Sequence, residues 1–174
     1  MPSVATLQRL PADEVAKLLL AEQEAATDPT IAVVDVRDDD RIGGHIKGSI
    51  SAPSGTLDAR MPTLVRQLAG KKTVVFHCAL SQQRGPGAAL RYIRERERMF
   101  PRSHHTGKDK GKEEETGGGE GEKKGEEKQG KEEEVEHEQK VYVLDRGFVG
   151  WQEVYADDER LTEGYRKELW ENGY

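Results

Sequence analysis

The sequence predicts an α/β fold: a central, mostly parallel five-stranded sheet flanked by helices. Three observations carry that expectation. Short runs rich in β-branched residues alternate with stretches of helical period. Residues 31–36 are apolar except for Asp35, as suits a strand covered on both faces of a parallel sheet. The only cysteine, Cys78, directly follows another such run and precedes a helix start, at the kind of strand carboxyl end where open α/β sheets bind ligands.

In chain order, residues 5–8 are expected to form a first short strand. Pro11-Ala12-Asp13-Glu14 then opens a helix, since proline suits a first turn and acidic side chains suit its positive end; Val15, Leu18 and Leu19 share a face. Residues 31–36 form the second strand and residues 50–52 a brief third. Residues 57–69 read as a helix with Leu64, Val65 and Leu68 inward, its start blurred by Pro62. Residues 73–76 and 141–144 complete the five strands. Between them, residues 85–99 read as the helix that follows the cysteine loop, with Leu90, Tyr92 and Ile93 inward. Residues 148–155 and 162–170 read as closing helical turns, Trp151 and Trp170 as packing, and His45 as a cap on local structure.

The 174 residues have room for one domain, expected to span 1–174. Residues 101–140 interrupt it with nine Lys or Arg, thirteen Asp or Glu, eight glycines and Val135 as the sole aliphatic side chain. Such a stretch cannot bury a core and is expected to be disordered. It reads either as a tolerated insertion, whose closure entropy grows slowly with length, or as a docking segment for a charged partner. Mixed signs and the lack of a basic stripe with aromatics argue against nucleic acid. His104, His105 and His137 have no neighbouring cysteine, so no metal centre is expected. There is no apolar run long enough to span a membrane, and a lone cysteine excludes an internal disulfide and suits a reducing compartment. A soluble protein of the cytoplasm or nucleus is expected.

The chemistry concentrates at His77-Cys78-Ala79-Leu80-Ser81-Gln82-Gln83-Arg84. None of residues 79–84 is proline, so a loop curling around a point aims several amides inward as an anion nest, reinforced by the start of the following helix. Such surroundings favour a thiolate, which makes Cys78 the candidate nucleophile. Arg84 offers a planar fork matched to two oxygens of a tetrahedral oxyanion, a geometry lysine does not copy. Ala79, Leu80, Ser81, Gln82 and Gln83 are the remaining candidate substrate-binding residues. The Ser81 hydroxyl reads either as a partner of the sulfur or as a plain turn serine. His77 is expected to end the strand and support the loop rather than donate a proton. Asp35 and Arg37 read as a buried pair bracing the loop. Asp38, Asp39 and Asp40 read as a solvated acidic loop, with the alternative that one of them protonates a leaving oxygen.

These residues resemble the active-site loop of the rhodanese-like domain in dual-specificity phosphatases of the cell-division-cycle-twenty-five type, and in the fungal and plant arsenate reductases. Val33-Val34-Asp35-Val36-Arg37 resembles the superfamily's strand-end Asp-x-Arg. Gly43-Gly44-His45-Ile46-Lys47-Gly48-Ser49-Ile50 resembles its Gly-His-Ile-x-Gly-Ala segment, and Leu144-Asp145-Arg146-Gly147-Phe148-Val149-Gly150-Trp151 its closing Leu-x-Gly-Gly-Phe-x-x-Trp. The resemblance implies an HCX5R loop of seven residues, Cys78 through Arg84, one longer than in sulfurtransferases and wide enough for phosphate or arsenate. Two departures stand out: Gln83 occupies a place that is acidic in the cell-cycle phosphatases, and no second cysteine protects Cys78.

By this resemblance the chain is expected to be a cysteine-dependent oxyanion enzyme, an arsenate reductase with protein tyrosine (dual-specificity) phosphatase activity, catalysed by Cys78 and Arg84. No cofactor is expected to be bound. Glutathione with glutaredoxin, or thioredoxin, is expected as external reductant, and phosphate, arsenate or a phosphoprotein as the molecule acted on. A thiosulfate sulfurtransferase and a catalytically silent rhodanese binding module remain the alternatives.

Overall fold

In the computed structural model, which describes residues 2–101 and 138–172, the strands are β1 (Gln8–Leu10), β2 (Ile31–Asp35), β3 (His45–Ile46), β4 (Ile50–Ser51), β5 (Thr73–His77), β6 (Lys140–Leu144) and β7 (Thr162–Glu163). Five of them form one sheet in the order β1-β6-β5-β2-β4, and every pairing in it is parallel. β3 and β7 form a separate antiparallel pair. The helices are α1 (Ala12–Ala25), α2 (Leu57–Gln67), α3 (Arg84–Met99), α4 (Gly147–Tyr155) and α5 (Lys167–Glu171). No helix among the described residues is long and apolar enough to cross a membrane.

Strand alternation divides the core into two layers. Ala32, Val34 and Val36, with Val74, Phe76 and Cys78, point to one face, where α2 (Leu57, Met61, Leu64, Val65) and α3 (Ala88, Ala89, Tyr92) cover them. Ile31, Val33, Val75 and Leu144 point to the other, against Val15 and Ala16 of α1 and Phe148 and Trp151 of α4. Both faces of β2 are therefore dry, which is why that strand reads as a continuous apolar run. Each fully buried valine, leucine or phenylalanine contributes about 1.5–3 kcal/mol. Cys78 continues the alternation of β5, so its position is set by the same packing that buries Phe76.

Several elements depart from expectation. Residues Val4–Thr6 form a 3₁₀ turn, because the Ser3 amide finds Thr6 Oγ1 (2.8 Å) locally, and the first strand starts later, at Gln8. In α1 the inward face is Ala12, Val15, Ala16, Leu19 and Leu20, an i, i+3, i+4, i+7, i+8 stripe, and Leu18 falls outside it at 40% exposure. Pro62 lies inside α2; the carbonyl it leaves without a helical partner belongs to Asp58, an exposed residue. Thr162 and Glu163 form β7, not helix. The Thr162 hydroxyl donates to Tyr155 O (2.7 Å) and accepts from Trp151 Nε1 (3.0 Å), and Gly164 at φ +65 ends the strand. Gln139 and Lys140, expected within the disordered stretch, are held in the fold. Gln139 Oε1 accepts a hydrogen bond from the Tyr92 hydroxyl (2.7 Å) and its Nε2 donates to Leu68 O (2.7 Å) and Lys71 O (2.9 Å), and Lys140 opens β6. Residues 102–137, with His104, His105 and His137, lie outside the described residues.

Candidate active site

β5 ends at His77, and α3 begins at Arg84 with no acidic residue in its first turn, so an uncompensated positive helix end adjoins the loop between them. Four of the loop's carbonyls are occupied. Cys78 O accepts from Phe148 N (3.0 Å), Ala79 O from Val149 N (3.0 Å), Ser81 O from Arg9 Nη1 (3.0 Å) and Gln83 O from Gly87 N (2.9 Å). In a planar trans peptide the C=O and the following N–H point in opposite directions. Fixing those carbonyls outward therefore turns the amides of Ala79, Leu80, Gln82 and Arg84 the other way. The amides of Ala79, Leu80, Gln82 and Gln83 donate no hydrogen bond among the described residues. They surround a cavity of about 230 Å³ lined by Cys78, Ala79, Leu80, Gln82, Gln83 and Arg84, room for an ion several waters in size.

Cys78 lies on the floor of this cavity, 3% exposed, and receives the Ser81 amide on its sulfur at 3.2 Å. Ser81 makes that contact by adopting a left-handed φ of +53, which carries its side chain into the interior. The sulfur's partner is thus the Ser81 amide rather than its hydroxyl, which is buried and has no partner among the described residues. Leu80, half exposed, forms the outer lip. The loop's far side rests on Gly147, where a Cβ would stand 2.4 Å from Ala79 O and 2.6 Å from Cys78 O; only glycine, here at φ +56, admits that approach.

Arg84 does not stand alone. Its Nη1 donates to Asp40 Oδ1 (2.8 Å) and Asp38 Oδ2 (3.3 Å), and its Nη2 to Asp40 Oδ2 (2.6 Å). Asp38 is itself held by Ser54 Oγ (2.5 Å) and the Gly55 amide (3.0 Å). The hydrogen bond from Ser54 holds the Asp38 carboxyl below its ordinary value, and the bond from Arg84 does the same for Asp40. Both are ionised at neutral pH, which disqualifies them as proton donors. Asp38 and Asp40 are therefore arginine ligands, a role that reading a solvated acidic loop missed; Asp39 alone stays exposed.

Behind the loop, Asp35 is fully buried and pairs with His77 across β2 and β5 in parallel register. Arg37 Nε and Nη2 reach its carboxylate (3.0 and 2.7 Å), Arg37 Nη2 also reaches Gly44 O (3.0 Å), and the guanidinium lies 4.3 Å over the Phe148 ring. Burial works against ionising Asp35, but the charge of His77, once its ring is protonated in acid, and the bonds and charge of Arg37 outweigh it and hold the carboxyl below its usual range. Burial pushes His77 the other way, below its ordinary value, and Asp35 offsets only part of this. The ring is neutral at pH 7. Because its Nδ1 lies 3.0 Å from Cys78 O, a group that only accepts, Nδ1 carries the proton. His77 is thus a buried support of the loop, outside the cavity, and Asp35 and Arg37 tie the ends of β2 and β5 to Gly44 and Phe148. His45 Nε2 lies 3.1 Å from Glu163 Oε2 in the β3–β7 pair, away from the loop.

Comparison with known proteins points to one family. A family model described as a rhodanese-like domain matches residues 12–154. A relative from Saccharomyces cerevisiae, the Cdc25-like phosphatase YCH1, is 31% identical over 150 residues, covering 79% of this chain and 76% of that protein. Arsenate reductase 2.2 of Oryza sativa subsp. japonica is 52% identical over 67 residues, 38% of this chain; the match spans about half (52%) of the rice protein's length. Among solved structures, Ygr203w, a yeast protein tyrosine phosphatase of the rhodanese family, superimposes with a TM-score of 0.63 at 28% identity, covering 94% of this chain and 96% of that one.

Proposed function

The chain belongs to the rhodanese-like domain family, and from that membership and the loop geometry we propose that it is a cysteine-dependent oxyanion enzyme, an arsenate reductase that also hydrolyses phosphate monoesters. The observation that carries the reading is the cradle: one sulfur beneath converging, unpartnered amides, closed by an arginine six residues on.

The Cys78 thiolate attacks the central atom of a tetrahedral oxyanion while the loop amides and Arg84 neutralise its oxygens. With a phosphate monoester, the P–O bond to the alcohol breaks and a phosphocysteine forms, which water hydrolyses. With arsenate, an As–OH oxygen leaves as water and a Cys78–S–As(V) adduct forms. A thiol then attacks the Cys78 sulfur; arsenic takes the bonding electron pair and departs as arsenite, leaving a mixed disulfide that a second thiol reduces. Two thiols supply the two electrons. With one cysteine in the chain, both steps after adduct formation draw on thiols in trans, which is the reason for assigning glutathione with glutaredoxin, or thioredoxin, as reductant in the cytoplasm or nucleus. Since Asp38 and Asp40 are ionised, the departing oxygen takes its proton from solvent or from the oxyanion's own hydroxyl.

Three assays on purified protein test this: arsenate reduction with glutathione and glutaredoxin, hydrolysis of an aryl phosphate, and formation of thiocyanate from thiosulfate. Turnover in the first two is expected, abolished by Cys78→Ser. Turnover in the third alone would make the chain a sulfurtransferase, and turnover in none would make it a binding module.

A further inference from the structure

The five N–H donors of Arg84 are not used evenly. Nη1 spends both of its hydrogens, on Asp40 and Asp38, and Nη2 spends one, on Asp40. What remains is the Nε hydrogen and the second Nη2 hydrogen, which have no acceptor among the described residues. These two lie side by side on one edge of the guanidinium plane, the arrangement that grips two oxygens of one anion.

We propose that Asp40, assisted by Asp38, is a positioning residue: its carboxylate clamps the Nη1–Nη2 end of Arg84 and presents the Nε–Nη2 edge as a preformed fork for the oxyanion. The inference rests on the reading of the cavity as an oxyanion site. Three segments converge to build the clamp. Asp40 Oδ1 takes the Asp38 amide (2.9 Å), which fixes the turn after β2, while Ser54 and Gly55, just before α2, hold Asp38. Arg84 supplies the start of α3. A long side chain one-third exposed is thereby ordered before any ligand arrives, and the entropy of immobilising it is not charged to binding.

The sign of the effect separates the clamp from simple electrostatics. Asp40 is a negative charge beside an anion site, so by Coulomb's law alone its removal tightens oxyanion binding. The clamp requires the opposite. The test is protection of Cys78 from iodoacetamide by inorganic arsenate, in the full chain and in its Asp40→Asn and Asp39→Asn variants, with thermal unfolding measured alongside. Asp40→Asn is expected to raise the half-protecting arsenate concentration about fivefold, the scale of ordering one such side chain. It should also lower kcat/KM, with partial rescue by Asp40→Glu. Asp39→Asn, which removes the same charge from an exposed neighbour, should leave protection unchanged or slightly improved. Equal or tighter protection in Asp40→Asn overturns the clamp. If Asp40→Asn does not fold, Asp38→Asn gives the same test with a smaller shift of about twofold. Arsenate that fails to protect the unsubstituted protein overturns the oxyanion site and the clamp together. Arsenate that protects all variants equally overturns the clamp alone.

Discussion

Two arginine–carboxylate pairs stand at the carboxyl end of β2, and they do opposite work. Arg37 and Asp35 are both wholly buried, and Arg37 is shared between the Asp35 carboxylate, the Gly44 carbonyl and the Phe148 ring. It has no route to a ligand, so its charge serves only to hold β2 against the segments around it. Arg84 and Asp40 remain 34% and 27% exposed, and Arg84 lines the cavity and keeps one edge unoccupied. The residue types are the same, but Arg37 meets its carboxylate through the Nε–Nη2 edge and Arg84 through the Nη1–Nη2 end. Arg37 also leaves one nitrogen, Nη1, without a partner among the described residues, but that nitrogen is buried. What separates a strut from a binding group is whether the donors left over face a cavity.

The contrast can be broken by substitution. The largest effect on stability is expected from Asp35→Asn, which leaves Arg37 buried without a countercharge and should cost about 3–5 kcal/mol in chemical denaturation; an unchanged midpoint would mean the pair is no strut. Arg84→Lys should reverse the pattern, with denaturation little altered and kcat/KM for arsenate or an aryl phosphate down by about 10²–10³, the scale for loss of an oxyanion donor. Full activity in the lysine variant would show that the planar fork is not used. Gly147→Ala sits between the two classes. By pushing α4 off the Cys78 and Ala79 carbonyls it should lower stability by about 1–3 kcal/mol and release the amides those carbonyls orient, so turnover should fall as well.

A smaller effect concerns pH. His77 is held neutral by burial, with its folded pKa below that of the unfolded chain, so the unfolded state binds the extra proton first. Its contribution is complete above pH about 6.5 and is lost as pH falls below that. Asp35, whose pKa is also depressed, adds loss in the same direction, but only below pH about 3.9. Thermal midpoints should therefore begin to fall as the protein is acidified from pH 7 toward 5, and His77→Gln should remove that part of the slope while leaving the more acidic part.

Much of this was legible in the sequence, for identifiable reasons. β2 and β5 announce themselves because both faces are buried, and the seven-residue spacing from Cys78 to Arg84 depends on local chain geometry alone. The helical period gives α1, but three leucines in a row offer two equally apolar registers, one turning Leu18 inward; only packing against the second core layer favours the stripe through Leu19 and Leu20. β7 was invisible because its two residues are a strand only by pairing with β3, more than a hundred residues earlier. The role of Asp38 and Asp40 was hidden for the same reason. Three consecutive aspartates look like a solvated turn until the fold brings the start of α3 beside them. Gly147 was visible only as part of a motif, and what demands it is a contact with a loop far away in the chain.

The most direct measurement is a crystal structure of the protein soaked with arsenate. One ion is expected in the cavity above Cys78, its oxygens within hydrogen-bond distance of the amides of residues 79, 80 and 82–84 and of Arg84 Nε and Nη2. The Ser81 amide is expected to stay on the Cys78 sulfur. An empty cradle at saturating arsenate, or an ion bound away from Cys78, would contradict the account.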